Sequence, residues 1–259
     1  MKKILGILIS ILLIYEVALG QLLFDINLPA DFIEIDNLEN IYAVKGSELI
    51  KYNSSGELLY RYSNKLNGVI SSLDATNPLR IILFYNESNT LAFLNQQLSL
   101  ISDPVNIFEV SNIEASAAGA SNQGFWVFCI DRQSLMQFNS KVESIQESQN
   151  LSAWIKGDNV HFIREQNQKL YLGLSRRVLI FDVFGSYLTT LHFEESQFLK
   201  MMGDKFSYMK GQNVWVYNPE LKSELAYSVP NIIETKAAFC YKNRIYLLSE
   251  KGISVYKCK

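Results

Sequence analysis

The chain reads as an all-β protein, a six-bladed β-propeller of four-stranded blades, on three observations. A short phrase recurs in which an apolar run ends in an aromatic or Leu followed by Asn or Asp. It stands at Tyr52-Asn53, Leu94-Asn95, Phe138-Asn139, Phe181-Asp182 and Tyr217-Asn218, with a truncated copy at Tyr256-Lys257. The steps between these anchors are 42, 44, 43, 36 and 39 residues, and a period near 40 with several strands per unit is a propeller rhythm. Segments such as RIILFY, GFWVFCI and VLIFDVF are continuous runs of β-branched and aromatic residues, as expected of strands covered on both faces. Lastly, the sixth unit runs out of chain before its fourth strand, while the N-terminal region holds a strand that no unit has used.

The first 20 residues read as a signal peptide. Lys2 and Lys3 precede an apolar run that Tyr15 and Glu16 interrupt, and Ala18-Leu19-Gly20 offers a small-residue cleavage site. The run is shorter than the roughly 20 apolar residues of a membrane span. A single domain over residues 21–259 and a secreted, periplasmic or cell-envelope location are the expectation; an uncleaved anchor is the alternative. Four strands, A to D from the axis outward, are expected in each unit. Unit one takes 32–36, 40–45, 48–53 and 57–63, and unit two takes 69–73, 80–85, 90–94 and 98–102. Units three and four take 113–118, 124–130, 134–138 and 142–147, then 160–164, 169–174, 178–183 and 187–193. Unit five takes 198–202, 205–210, 214–218 and 224–228, and unit six takes 232–239, 244–249 and 253–257. Leu22-Leu23-Phe24 matches Leu58-Leu59-Tyr60, the D strand of unit one. The N-terminal strand is therefore expected to complete the last blade and close the ring, removing open sheet edges. ESQNLSAWI and EESQFLKMM have room for one helical turn each.

The aromatics of the repeated phrase predict blade-to-blade packing, and the following Asn or Asp predicts a side chain bonded to its own turn. Gly56 and Gly185 fall in the C–D turns, where a positive φ is wanted. Gly119, Gly124 and Gly173 suggest close backbone approach or bulges.

The whole chain carries a net charge of −2, and removal of two Lys and one Glu with the leader makes it −3. Without a basic patch, electrostatic capture of nucleic acid is not expected. Of the three cysteines, Cys129 lies in an apolar strand. Cys240 and Cys258 fall on strands of one blade with another strand between them. That separation is about twice the ~4.8 Å strand spacing, beyond disulfide reach, so this layout disfavours a bridge and leaves the pairing of the two open.

Lys169 to Leu191, KLYLGLSRRVLIFDVFGSYLTTL, resembles the NHL-type repeat of six-bladed propellers. There a strand, a polar turn and a strand ending in aromatic–Asp lead to Gly and a last apolar strand. The aromatic–Asn/Asp element recurs in four units, with Leu94-Asn95 in its place in a fifth, whereas the Gly survives only at Gly56 and Gly185. The resemblance implies architecture and no particular activity.

Candidate site residues fall in two groups. Asp131, Arg132, Arg176 and Arg177 lie on B–C turns of adjacent units, with Trp154 on the connection between them. Arginines and an aromatic there could form a rim for an anionic or glycan partner, or simply be solvated turn charge. His161, Glu114 and Glu234 sit at or near A strands, which line the central channel. Asp36, Asp74, Asp31 and Asp158 are also close to A strands and are of the ligand type calcium takes. They fall at different ends of those strands, so no metal site and no cofactor is assigned, and calcium stays an alternative. Two scattered histidines, His161 and His192, do not make a catalytic zinc frame. The functional expectation is a binding or scaffold module for a protein or glycan partner. A metal-assisted hydrolase or lyase with its site in the channel is the alternative.

Overall fold

The computed structural model describes residues 20–229 and 234–258. The leader, apart from Gly20, and the start of the expected 232–239 strand lie outside the described residues. Six four-stranded antiparallel sheets form the six blades of a closed propeller. Blade one is β2 (Phe32–Ile35), β3 (Ile41–Lys45), β4 (Glu48–Tyr52) and β5 (Leu58–Ser63). Blade two is β6 (Ser72–Asp74), β7 (Ile81–Tyr85), β8 (Thr90–Leu94) and β9 (Val105–Asn106). Blade three is β10 (Ala115–Ala120), β11 (Gly124–Cys129), β12 (Ser134–Asn139) and β13 (Ser144–Glu147). Blade four is β14 (Phe162–Gln166), β15 (Lys169–Gly173), β16 (Arg177–Asp182) and β17 (Tyr187–His192). Blade five is β18 (Gln197–Met202), β19 (Lys205–Lys210), β20 (Asn213–Asn218) and β21 (Ser223–Ser228). Blade six is β22 (Thr235–Tyr241), β23 (Arg244–Ser249) and β24 (Ile253–Lys257), completed on its outer edge by β1 (Gln21–Ile26).

Ring closure is thus made by the N-terminal strand, as the sequence predicts. β1 pairs antiparallel with β24 from Gln21↔Lys257 to Ile26↔Ile253. Arg244 reinforces the seam by donating to the Ser54 carbonyl at 2.5 Å and meeting Glu39 at 3.1 Å. Lys242 adds a 3.4 Å contact to the same carboxylate.

The middle strands are buried on both faces because each blade is covered by its neighbours. Six apolar clusters fill the six seams. The aromatic of the repeated phrase enters a seam every time: Tyr52 packs with blade six, Phe138 stacks on Phe125 at 5.3 Å, and Phe181, Tyr217 and Tyr256 pack likewise. The Asn or Asp that follows caps its own C–D turn. Asn53 accepts from the Ser55 and Glu57 amides, both at 2.9 Å. Asn95, Asn139 and Asp182 repeat that two-amide pattern, and Asn218 accepts from Glu220 and Leu221. Three residues after the cap the backbone turns left-handed, with φ +84° at Gly56 and +80° at Gly185. Gly119 answers to packing instead: a Cβ there would stand 2.2 Å from the Ile163 carbonyl oxygen of blade four.

Some expected strands moved. The D strand expected at 98–102 is not formed; Leu100 makes an isolated bridge to Leu94, and β9 comes later. Leu98 turns inward to a buried position at φ +58°, and Pro104, which has no amide proton to donate, delays the strand until Val105. A five-residue helix, α1 (Ile107–Ser111), follows β9, capped by the Asn106 side chain on the Glu109 amide. Of the two expected helical turns, ESQNLSAWI supplies α2 (Ser152–Ile155), whereas the residues of EESQFLKMM enter β18. Among the described residues no helix is long and apolar enough to cross a membrane.

Candidate functional site

The innermost strands enclose a channel that a buried charge network divides. β2, β6, β14 and β18 each contribute one charged side chain: Glu34, Asp74, Arg164 and Lys200. Arg164 meets Asp74 at 3.0 Å and Glu34 at 3.6 Å, and Lys200 meets Glu34 at 2.8 Å. Asp74 also accepts from the Ala120 amide of blade three at 2.8 Å, and the Lys200 ammonium lies 5.0 Å from the Phe239 ring centre of blade six. Every blade therefore touches this crossbar. Two acids balance two bases, which is how ionised groups persist where water is scarce. Burial holds the Lys200 pKa below the usual lysine range, and the neighbouring Glu34 carboxylate opposes that shift.

Glu34 and Arg164 face both compartments, so the crossbar separates two different mouths. The strands of a blade alternate in direction, so D–A connections and B–C turns share one face, and A–B and C–D turns share the other. The mouth on the A–B side encloses about 420 Å³ and is polar, lined by Asn37, Thr76, Asn77, Asn122, Glu165 and Gln166 among others. Its acids are already engaged. Glu165 accepts from the Trp126 indole at 2.8 Å and the Asn122 amide at 3.2 Å. Nearby, Asp36 accepts from Tyr42, from the Asn40 side chain and from the Leu38 and Asn40 amides. The mouth on the B–C side is a bowl of about 630 Å³. Phe32, Leu73, Phe162, Phe198, Leu199 and Phe239 give it apolar walls, and Ser72, Ala118 and Ala237 are the small residues that leave it open. His161, Arg176 and Lys236 stand among its lining, with Lys200 at the floor. Phe198 is 47% exposed, a large apolar side chain presented to solvent in the same lining as Arg176.

Of the expected channel residues, His161 lines the bowl, and Glu114 and Glu234 do not. Glu114 is exposed beyond the start of β10. Glu234 pairs with Lys251 at 2.7 Å in a separate cleft beside β1 and β24. His161 Nε2 is 3.2 Å from Ser175 Oγ, and Ser175 donates to Asp158 at 2.7 Å. The serine sits between histidine and acid, so no base–nucleophile relay is built; a relay needs the histidine in the middle.

Of the expected rim residues, only Arg176 reaches the bowl. Arg132 pairs with Glu147 at 3.0 Å, and Asp131 is exposed beside it. Arg177 donates to the Ile155 carbonyl at 2.8 Å and lies 3.8 Å from Asp158. Trp154 packs against Tyr187, ring centres 5.1 Å apart, in the seam between blades three and four. All five share the B–C face, but they do not form one patch with the bowl. Asp31 lines the bowl and accepts from the Gly46 amide at 2.7 Å. Among the described residues no three His, Cys, Asp or Glu side chains gather as metal ligands would.

One expectation is corrected outright. Cys240 and Cys258 were placed beyond mutual reach, yet their sulfurs are 3.2 Å apart. Cys258 follows the last residue of β24, and its amide donates to the Asn243 carbonyl in the β22–β23 turn at 2.8 Å. The side chain therefore reaches across the end of the hairpin, where a count of intervening strands no longer sets the distance.

Glu34, Arg164 and Lys200 were not singled out from sequence. The available signal was a charge flanked by apolar residues in these A strands: Glu34 in FIEI, Arg164 beside Glu165 in FIREQ, and Lys200 in QFLKMM.

No family model matches the chain, and no curated protein matches it in sequence. Its fold does match solved propellers. A streptogramin B lyase superposes with TM-score 0.55 at 12% identity, covering 91% of this chain and 86% of the lyase. A catalytically inactive virginiamycin B lyase from Staphylococcus aureus, solved with quinupristin, gives 0.56 at 11% identity, covering 90% and 87%. The Pan2 WD40 domain of Neurospora crassa gives 0.54 at 13% identity, covering 89% and 80%. At such identities the likeness is one of fold: the chain is a six-bladed β-propeller.

Proposed function

We propose that the protein is an exported binding module that takes a protein partner through the bowl on its B–C face. The observation that carries this reading is the pairing of an open, apolar-walled cavity with an exposed arginine at its edge; Lys236, the other rim cation, is already paired with Glu250 at 3.0 Å. The acids of the bowl, Asp31 and Glu34, already have partners, whereas Arg176 is exposed with no counter-ion among the described ion pairs. A segment presenting a large apolar side chain next to a carboxylate fits both features, since apolar burial gives affinity and the rim arginine fixes orientation. A glycan, the other class expected from the sequence, would leave six apolar walls against hydroxyl groups. The metal-assisted hydrolase or lyase alternative has less behind it, since no three His, Cys, Asp or Glu side chains gather among the described residues. Export rests on the basic start, apolar run and small-residue cleavage site of residues 1–20, and the NHL-like affinity rests on the repeat in blade four.

A displayed random-peptide library selected on residues 21–259 tests the reading. Enriched peptides should pair an aromatic or large aliphatic residue with an acid. Their binding should fall at least tenfold in Arg176→Glu and in Phe198→Asp, both exposed positions that do not support the core. Selection of peptides indifferent to both variants, or binding confined to a glycan array, would overturn it.

A further inference from the structure

The cysteine pair lies outside the bowl, in the blade that closes the ring. Cys240 is at the inner strand of blade six and Cys258 just beyond its third strand, with 3.2 Å between sulfurs. Cys240 is buried; its amide is held by Ser207 Oγ of blade five at 2.8 Å. Cys258 is only half-buried and so open to a reagent from solvent. Cys129, the third thiol, is fully buried in the seam between blades two and three and belongs to a different core cluster.

We propose that Cys240 and Cys258 form a reversible intrachain disulfide that latches the closing blade of the ring. The chemistry is an exchange with a low-molecular-weight disulfide, RSSR. The Cys258 thiolate attacks one sulfur of RSSR and forms the mixed disulfide, releasing RS⁻. Cys240 then loses its proton, and its sulfur attacks the Cys258 sulfur, releasing the second RS⁻. Two protein thiols and RSSR become one protein disulfide and two RSH, so the two electrons the protein loses reduce the external disulfide. The environment suits this order. The Cys240 thiol hydrogen-bonds to its neighbour, which pushes the Cys240 pKa up and draws the Cys258 pKa down, making the accessible sulfur the better thiolate. Bond formation shortens 3.2 Å to about 2.05 Å, a movement of roughly 1 Å that falls on the residue beyond the end of β24. The resulting link spans β23 and ties to the inner strand the very strand on which β1 hangs.

Residues 21–259, reduced and then treated with oxidised glutathione without denaturant, provide the test. Free thiols counted after unfolding should fall from three to one, the intact mass should lose two hydrogens, and peptide mapping should join Cys240 to Cys258. Oxidation should raise the melting temperature by about 5–10 °C, as expected for a loop of this size. Cys240→Ser and Cys258→Ser should lose the redox dependence of melting, and Cys129→Ser should keep it. Three thiols after oxidation, a bridge to Cys129, or a bridge between two chains would overturn the proposal. Equal melting of the oxidised and reduced wild type would overturn the latch.

Discussion

The two mouths of the channel share a floor and differ in almost everything else. On the A–B side the acids are already engaged within the fold: Asp36 takes four hydrogen bonds and Glu165 takes two. On the B–C side an apolar wall is left open beside the exposed Arg176, and Phe198 points large and half-uncovered into it. A fold settles its polar groups wherever stability alone decides, because a buried unsatisfied group costs about 1–3 kcal/mol. An open apolar bowl does nothing for stability, so the contrast separates the side that holds the ring together from the side left for something else.

Three measurements can break or sharpen that contrast. The largest effect is expected at the shared floor. Arg164→Leu leaves Asp74 and Glu34 buried without their guanidinium and should cost about 3–5 kcal/mol in urea unfolding. Adding Asp74→Asn to that variant should recover part of the loss. A cost below about 1 kcal/mol would mean the crossbar is not a structural partition.

A smaller effect concerns alkaline pH on the polar side. Burial, helped by the adjacent Asp36 carboxylate, pushes the Tyr42 pKa well above its ordinary value. A tyrosine whose folded pKa is raised contributes stability that is fully present below the unfolded value of about 10. That contribution is lost as pH climbs toward the folded value, because the unfolded chain releases the proton first. Melting temperature should therefore fall above about pH 10, and Tyr42→Phe should flatten the fall. An unchanged slope in that variant would remove Tyr42 from the account.

The smallest effect belongs to the bowl. Phe198→Asn should change stability by no more than about 0.5 kcal/mol, since the side chain is half-exposed and its φ of +54° suits Asn. A loss above 2 kcal/mol would make the bowl part of the core and undo the contrast.

Blade number, ring closure and the role of the repeated phrase were legible in the sequence because each is a local problem solved again in each unit. An aromatic must enter a seam, and the next residue must cap a turn. The crossbar was not legible for the opposite reason. Glu34, Asp74, Arg164 and Lys200 come once each from four units, at spacings that follow no period, and only the closed ring brings them together. Blade two hid its outer strand because Pro104 broke the rhythm the other units keep. Cys240 and Cys258 were misread because strand count stands in for distance only within a sheet, not at the end of a hairpin. His161 lines the bowl, and Arg176 reaches it because the B–C turn of blade four stands over it. Trp154 did not, since its ring was needed between two blades.

Closure of the ring by β1 has a consequence for how the chain is made. Gln21 pairs with Lys257, so the first strand to emerge must wait for nearly the last. Contacts of such sequence separation slow folding, because their loop-closure entropy must be met before they contribute anything. Until then β1 has no partner and blade six has no outer strand. A chain threaded across a membrane in the manner proposed here would stay unclosed, and so still threadable, until its final strand had crossed.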